Sequence, residues 1–301
     1  MMSDPASSML VSFGGHTLCV RFDSLKVAAA FQTHLRHCPV QTDDVPIAEF
    51  HVTAVESAFT ISVDGGGLFS NLNFDLTLQA LLTEVISRLV AVCDRGLVIH
   101  AATLAQDGNA VILSAQGGSG KSTLAAWLTA DGFQYLTDEV IEIPLRPPEK
   151  ASGQCERSRR TAFASTTLSA NTFPRSIFLK QGSAFVWQQR LSQTESSHFL
   201  RFSDDAAWID PQLFNPALPA SQATPRLLVF PRYVVGSPLQ SQKLTPGETL
   251  FRILQNVTNA RNLPRHGLDA ASRLAQQVTA YNLVYSDLEQ ASDWIRDSLN
   301  R

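Results

Sequence analysis

Apolar and polar positions change period several times along the chain, and each change marks an element. MLVSFGGHTLCVRF (9–22) reads as two short strands around Gly14-Gly15, and SLKVAAAFQTHLRHC (24–38) has helical spacing. AEFHVTAV and FTISV alternate as strands, which the run Gly65-Gly66-Gly67 is expected to close. LTLQALLTEVISRLVAVCDRG (76–96) repeats apolar residues at helical intervals, with Gly96 placed to stop the helix. These elements predict a small N-terminal α/β lobe over residues 1–95 and a second domain over 96–301.

The second part opens with LVIHAATLAQDGNAVILSA, two apolar runs separated by Gln106-Asp107-Gly108-Asn109, which predicts a hairpin. GFQYLTDEVIEIPL reads as one further strand, as do SIFLK and RLLVFPRYVV. Residues 147–172, starting with Pro147-Pro148 and then polar, read as a loop or mobile insertion. Thr245, Pro246 and Glu248 predict a capped helix start, and Ser286 with Glu289 repeats that pattern before a C-terminal helix.

Composition changes this picture little. The 301 residues are 44% hydrophobic and 17% charged, enough for a large buried core. A net charge of −3 supplies no field that would draw the chain to nucleic acid or an anionic membrane. No apolar stretch approaches the roughly 18 residues of a membrane span, so a cytoplasmic protein is expected. Cys19, Cys38, Cys93 and Cys155 show no paired spacing and read as reduced thiols. His16, His34, His37, His51, His198 and His266 show no metal-ligand spacing, and Asp204-Asp205, Trp187 and Trp208 are assigned to packing or surface.

Chemistry enters at VILSAQGGSGKSTLAAWL (111–128), a strand, a glycine-rich turn and a helix. Converging backbone N–H groups and a helix N-terminus are what a phosphate needs. Gly117, Gly118, Ser119, Gly120, Lys121, Ser122 and Thr123 are therefore the candidate nucleotide-binding set, with Lys121 as the charge for the outer phosphates and Ser122 as a magnesium ligand. The phosphate-loop consensus would have Gly where this chain has Ala115, and the plain alternative is a turn that binds nothing. Asp138 and Glu139 follow in the next strand; there one carboxylate can hold the metal and the other accept a hydroxyl proton, and the sequence does not divide the roles. His100 alone would read as a core histidine. ERSRRTAF, with Arg157, Arg159 and Arg160, could dock an acidic peptide but reads first as a solvated loop.

The order His100, hairpin, Gly-Lys-Ser loop and Asp138-Glu139 resembles bacterial HPr kinase/phosphorylase and, more closely, the HPr-kinase-related serine kinases. PRSIFLKQGS, LLVFPRYVVGS and YNLVYSDLEQA are similar to further segments of those kinases, and the resemblance covers about two-thirds of the chain. It implies an α/β kinase core of the HPr kinase C-terminal and phosphoenolpyruvate carboxykinase type, carrying a P-loop, beside the small N-terminal lobe. It implies ATP and Mg2+ as cofactors, catalytic roles for His100, Asp138, Glu139, Arg175 and Lys180, and a metal site at Ser122 and Asp138. A Glu stands at 139 where HPr kinase has Asp.

The chain lacks the Gly-Ile-Ile-Asn-Val type segment associated in HPr kinase/phosphorylase with dephosphorylation of HPr, which makes HPr a poor substrate; the resemblance to related kinases, some of them lasso-peptide tailoring kinases, implies a serine of a peptide or small protein as acceptor. HPr kinase is hexameric, and a homo-oligomer is left open here. A nucleotide-binding regulatory module and a kinase of a small metabolite are the alternatives.

Overall fold

The computed structural model describes residues 7–40, 45–145, 171–180, 182–183, 187, 201–203, 206–217 and 223–301. Of the loop expected over 147–172, residues 147–170, with Cys155, Arg157, Arg159 and Arg160, lie outside the described residues, as do His198, Asp204 and Asp205, while Asn171–Thr172 is a short strand rather than loop. Among the described residues the protein is mixed α/β with four sheets.

The first sheet runs β1 (Ser7–Phe13), β2 (His16–Phe22), β3 (Glu49–Val55), β4 (Ala58–Val63), β5 (Gly66–Leu72), in that order. Its apolar positions Leu18, Val20, Phe50, Val52 and Ile61 are fully buried in one cluster with α1 (Leu25–Leu35) and α2 (Phe74–Val92). Two expectations need correction. The glycine run does not close the strands: Asp64 and Gly65 alone form the turn, both with positive φ, which frees Gly66 to open β5. Nor does Gly96 stop α2, which ends at Val92 with Cys93 already extended. Gly96 instead opens the next strand, where an added Cβ would lie 2.3 Å from the Glu142 side chain.

The apolar runs 97–106 and 132–145 each prove to be two strands rather than one. They break as β6 (Gly96–His100) and β7 (Ala102–Gln106), and as β9 (Gln134–Thr137) and β10 (Val140–Pro144). β6 pairs with β10, His100 opposite Val140, while β7 pairs with β9, Thr103 opposite Thr137, in a different sheet. A two-stranded ribbon thus crosses between sheets, pinned at the crossing by Ala101 N–H donating to the Glu139 carbonyl at 3.2 Å. The crossing leaves His100, Asp138 and Glu139 at strand ends.

The Asp107-Gly108 hairpin forms as expected and leads into β8 (Asn109–Leu113), followed by α3 (Lys121–Ala130) after the glycine turn. β11 (Asn171–Thr172) flanks β10, and β12 (Ile177–Lys180), β13 (Arg201–Ser203) and β14 (Ala206–Ile209) make a small sheet of order β12-β14-β13, ahead of a short helix α4 (Pro211–Phe214). β15 (Thr224–Tyr233), β16 (Gln240–Lys243) and β17 (Thr279–Tyr285) complete the large sheet β16-β17-β15-β8-β7-β9, in which β8, β15 and β17 are parallel.

Helices α5 (Pro246–Leu254) and α6 (Leu268–Gln277) pack in the cluster built around β6 and β10, whereas α3 and α7 (Leu288–Leu299) pack in the one with β7 and β8. The capping box at Thr245 and Glu248 is present. α7 starts one residue later than expected: Asp287 caps it, accepting from Gln290 N–H, and Ser286 donates to the Ser237 carbonyl. No helix among the described residues is long and apolar enough to cross a membrane.

Candidate active site

The glycine turn starts where β8 leaves the sheet. Ser114 N–H still bonds the Val229 carbonyl at 3.0 Å, and the far side is fixed by Tyr233 N–H donating to the Ser119 carbonyl at 2.9 Å. Between these anchors Gly118 (φ +84) and Gly120 (φ +90) take left-handed conformations that side chains resist. At Gly120 a Cβ would also sit 2.6 Å from the Tyr285 hydroxyl.

A Cβ at Gly117 or Gly118 would meet nothing within 4 Å, so no atom of the described residues fills the cradle. Ala115 has no positive φ, and its methyl replaces the consensus glycine without backbone strain. α3 begins with no side-chain cap on its N-terminal amides, which leaves their donors and the helix dipole for an anion.

Four charged groups and an imidazole converge on this cradle. Lys121 is buried, and its Nζ lies 3.0 Å from His100 Nε2. An ammonium can only donate, so Nε2 accepts and the imidazole carries its proton on Nδ1. That nitrogen faces Glu139 Oε1 at 4.0 Å. Burial first, and the Lys121 charge second, hold His100 below its usual pKa, which agrees with a neutral ring. Burial likewise lowers Lys121, against the pull of Asp138 and Glu139.

The two carboxylates differ sharply. For Glu139, burial works to raise the pKa, but the charge and hydrogen bond of Arg175, followed by His100 and Lys121, outweigh it, and the net shift is downward. Its Oε2 is in direct contact with Arg175 Nη2. Asp138 is 3% exposed, and neither carboxylate oxygen has a hydrogen-bond partner among the described residues. Desolvation pushes it up to about 6 despite Lys121, Arg175 and the nearby Ser122 hydroxyl. A buried carboxylate with both oxygens unpartnered is costly and calls for a missing partner.

Arg175 is itself buried, with Nε and Nη1 unpartnered among the described residues and its guanidinium 5.1 Å from the Trp208 ring. β9 anchors its backbone: Tyr135 Oη donates to the Arg175 carbonyl and Thr137 Oγ1 to that of Phe173, both at 2.9 Å.

All the candidate residues, from His100 through Gly117–Thr123, Asp138 and Glu139 to Arg175 and the exposed Lys180, line one cavity of about 810 Å³. Its remaining walls hold residues the sequence reading did not single out, chiefly Trp127, Phe178, Tyr233, Tyr285 and Asp287. Tyr233 and Tyr285 stand at the carboxyl ends of the parallel strands β15 and β17, where ligands are commonly seated in such sheets. That position was the available signal. Trp208 gave none, because it stands behind Arg175 and Phe178 rather than in the cavity wall.

Among the described residues no group of three or more His, Cys, Asp and Glu side chains could hold a metal. Ser122 and Asp138 nevertheless suit magnesium, which takes one or two protein oxygens and completes its shell with phosphate and water. The unpartnered Asp138 oxygens, the open glycine cradle and the uncapped α3 fit a magnesium-nucleotide.

The site is that of a mixed α/β protein with a cavity lined by a glycine-rich turn and by buried charged side chains. No family model matches the chain, and no curated protein matches it. Among solved structures it is similar to the HPr(Ser) kinase/phosphatase from Coxiella burnetii, with 13% identity, a TM-score of 0.32, and coverage of 66% of this chain and 94% of that one. A likeness so distant leaves function to be argued from the site itself.

Proposed function

We propose that the protein is a Mg-ATP-dependent kinase of the HPr-kinase-like type, transferring the γ-phosphate to a serine hydroxyl of a peptide or small protein. The observation that carries this reading is Asp138, buried with both oxygens unpartnered beside Ser122, Lys121 and an open glycine cradle.

In this reading the amides of Gly117–Thr123 bind the phosphate chain and Lys121 neutralises its outer charge. Ser122 and Asp138 would hold magnesium, which when bound would supply neutralisation of the phosphate charge. Glu139 stays ionised at neutral pH because Arg175 lowers its pKa, and it takes the acceptor hydroxyl's proton. The neutral His100 ring, fixed by Lys121, lines the approach of that hydroxyl. Arg175, with two nitrogens unpartnered among the described residues, and Lys180 at the rim stabilise charge on the transferring group. Phosphoryl transfer asks little covalent chemistry of the protein, so positioning and charge do most of the work. The division into residues 1–95 and 96–301 is kept as part of the proposal, with self-association open to test.

Glu139→Gln and Asp138→Asn separate binding from transfer. Glu139→Gln is expected to bind Mg-ATP about as well as wild type while phosphopeptide formation, read by mass spectrometry, falls roughly a hundredfold or more. Wild-type transfer by Glu139→Gln would contradict the assignment. Binding by the wild-type chain with no transfer to any peptide would favour a regulatory module, and transfer to a small hydroxylated metabolite alone would replace the acceptor.

A further inference from the structure

Helix α1 belongs to the N-terminal layer, yet its last turn is bound into the neighbourhood of Arg175. His34 is 4% exposed and places Nδ1 3.3 Å from Ser176 Oγ, while its own carbonyl accepts from Ser176 N–H at 3.0 Å. The same ring lies 4.8 Å from the Trp208 ring. Trp208 in turn lies 4.4 Å from Phe178 and carries the Arg175 guanidinium over its face at 5.1 Å. Two residues on, Arg36 and His37 both pair with Asp210, the cap of α4 directly after β14. One helix end therefore grips the segment that bears Arg175 and also the strand that supports its guanidinium.

We infer that His34 is a positioning residue for Arg175: through Ser176 and Trp208 it sets the guanidinium that contacts Glu139, so the N-terminal layer controls the geometry of the transfer site. The consequence for activity rests on the kinase reading above, but the contact itself does not. Such a role demands a side chain that hydrogen-bonds Ser176 and packs on Trp208 without repelling Arg175. Burial, followed by the Arg175 charge, pushes His34 down to about 4, so the ring is neutral at neutral pH and meets that demand. Among the described residues the Arg175 side chain contacts one carboxylate, Glu139, and has Trp208 beneath it.

The test compares wild type with His34→Ala, His34→Gln, Trp208→Leu and the surface control Gln32→Ala on the same helix. Two measurements are made on the full chain. The first is NMR of the Arg175 Nε–H, assigned by its disappearance in Arg175→Lys; the second is kcat and KM for Mg-ATP with a serine peptide. In His34→Ala and Trp208→Leu the Arg175 signal is expected to shift and exchange faster with solvent. kcat is expected to fall roughly ten- to a hundredfold, with KM for Mg-ATP nearly unchanged, since only the placement of a transition-state group is lost. His34→Gln keeps a donor and acceptor for Ser176 and is expected to recover most of both, and Gln32→Ala to match wild type.

An Arg175 signal unmoved in both His34→Ala and Trp208→Leu overturns the inference, whatever the rates. A loss of kcat that His34→Gln fails to restore, with the Arg175 signal unchanged, also overturns it. A moved signal in a chain whose wild type transfers no phosphate keeps the positioning contact and removes the kinase reading.

Discussion

Replacing Asp138 with Asn is expected to stabilise the nucleotide-free protein while disabling its proposed chemistry. The carboxyl has an ordinary value of 3.8 and is pushed up to about 6 in the folded chain. A folded-state pKa above the unfolded one means that the native state holds the proton longer. Stability therefore falls as pH rises through the window from about 4 to about 6, and the full cost is present above it. At about 1.4 kcal/mol per pH unit over roughly two units, an ionised Asp138 costs about 3 kcal/mol at pH 7.5.

Asn removes that charge but leaves a buried amide short of partners, which returns about 1–2 kcal/mol of the gain. The net expectation is a variant more stable than wild type by about 1–2 kcal/mol at pH 7.5, the gap closing or reversing at pH 4. Urea denaturation of both proteins from pH 4 to 8, followed by two-state fits, measures it. Adding Mg-ATP should reverse the order at pH 7.5, because the ligand binds the wild-type carboxylate more tightly. A variant less stable than wild type at pH 7.5, or a gap independent of pH, refutes the reasoning that Asp138 is a strained, unsatisfied acid.

Three further substitutions probe separate parts of the account. Gly120→Ala forces an L-residue to φ +90 and a Cβ to 2.6 Å from the Tyr285 hydroxyl, and should cost about 2–4 kcal/mol in chemical denaturation. Gly117→Ala meets no atom of the described residues and should leave stability within about 0.5 kcal/mol, while calorimetry shows weaker Mg-ATP binding if the empty space is the phosphate's. Thr245→Ala removes the N-cap of α5 and should lower stability by about 1 kcal/mol with no change in nucleotide affinity.

The parts legible in the sequence were those written in contiguous residues. The glycine turn, the Asp107-Gly108 hairpin and the Thr245 cap each depend on a few neighbours whose conformational demands are local. The breaks at Ala101 and at Asp138-Glu139 were not legible. Residues 97–99 and 101–105 are equally buried, so the apolar pattern runs on unbroken while the backbone changes sheets. Gly96 and Ser286 each fitted a helix-end rule, but at 96 the reason for glycine is the Glu142 side chain, and at 286 the neighbouring Asp287 is the cap. His34 and Trp208 left no trace, because their contacts with Ser176 and Arg175 join segments far apart in the chain.

The most direct measurement incubates the purified chain with Mg2+, γ-labelled ATP and serine-containing peptides, beginning with any short peptide encoded beside its gene, and locates the label by mass spectrometry. The account predicts label on a serine, absent without Mg2+ and absent in Lys121→Ala. Label that persists in Lys121→Ala, or a wild-type chain that binds no nucleotide, would contradict it.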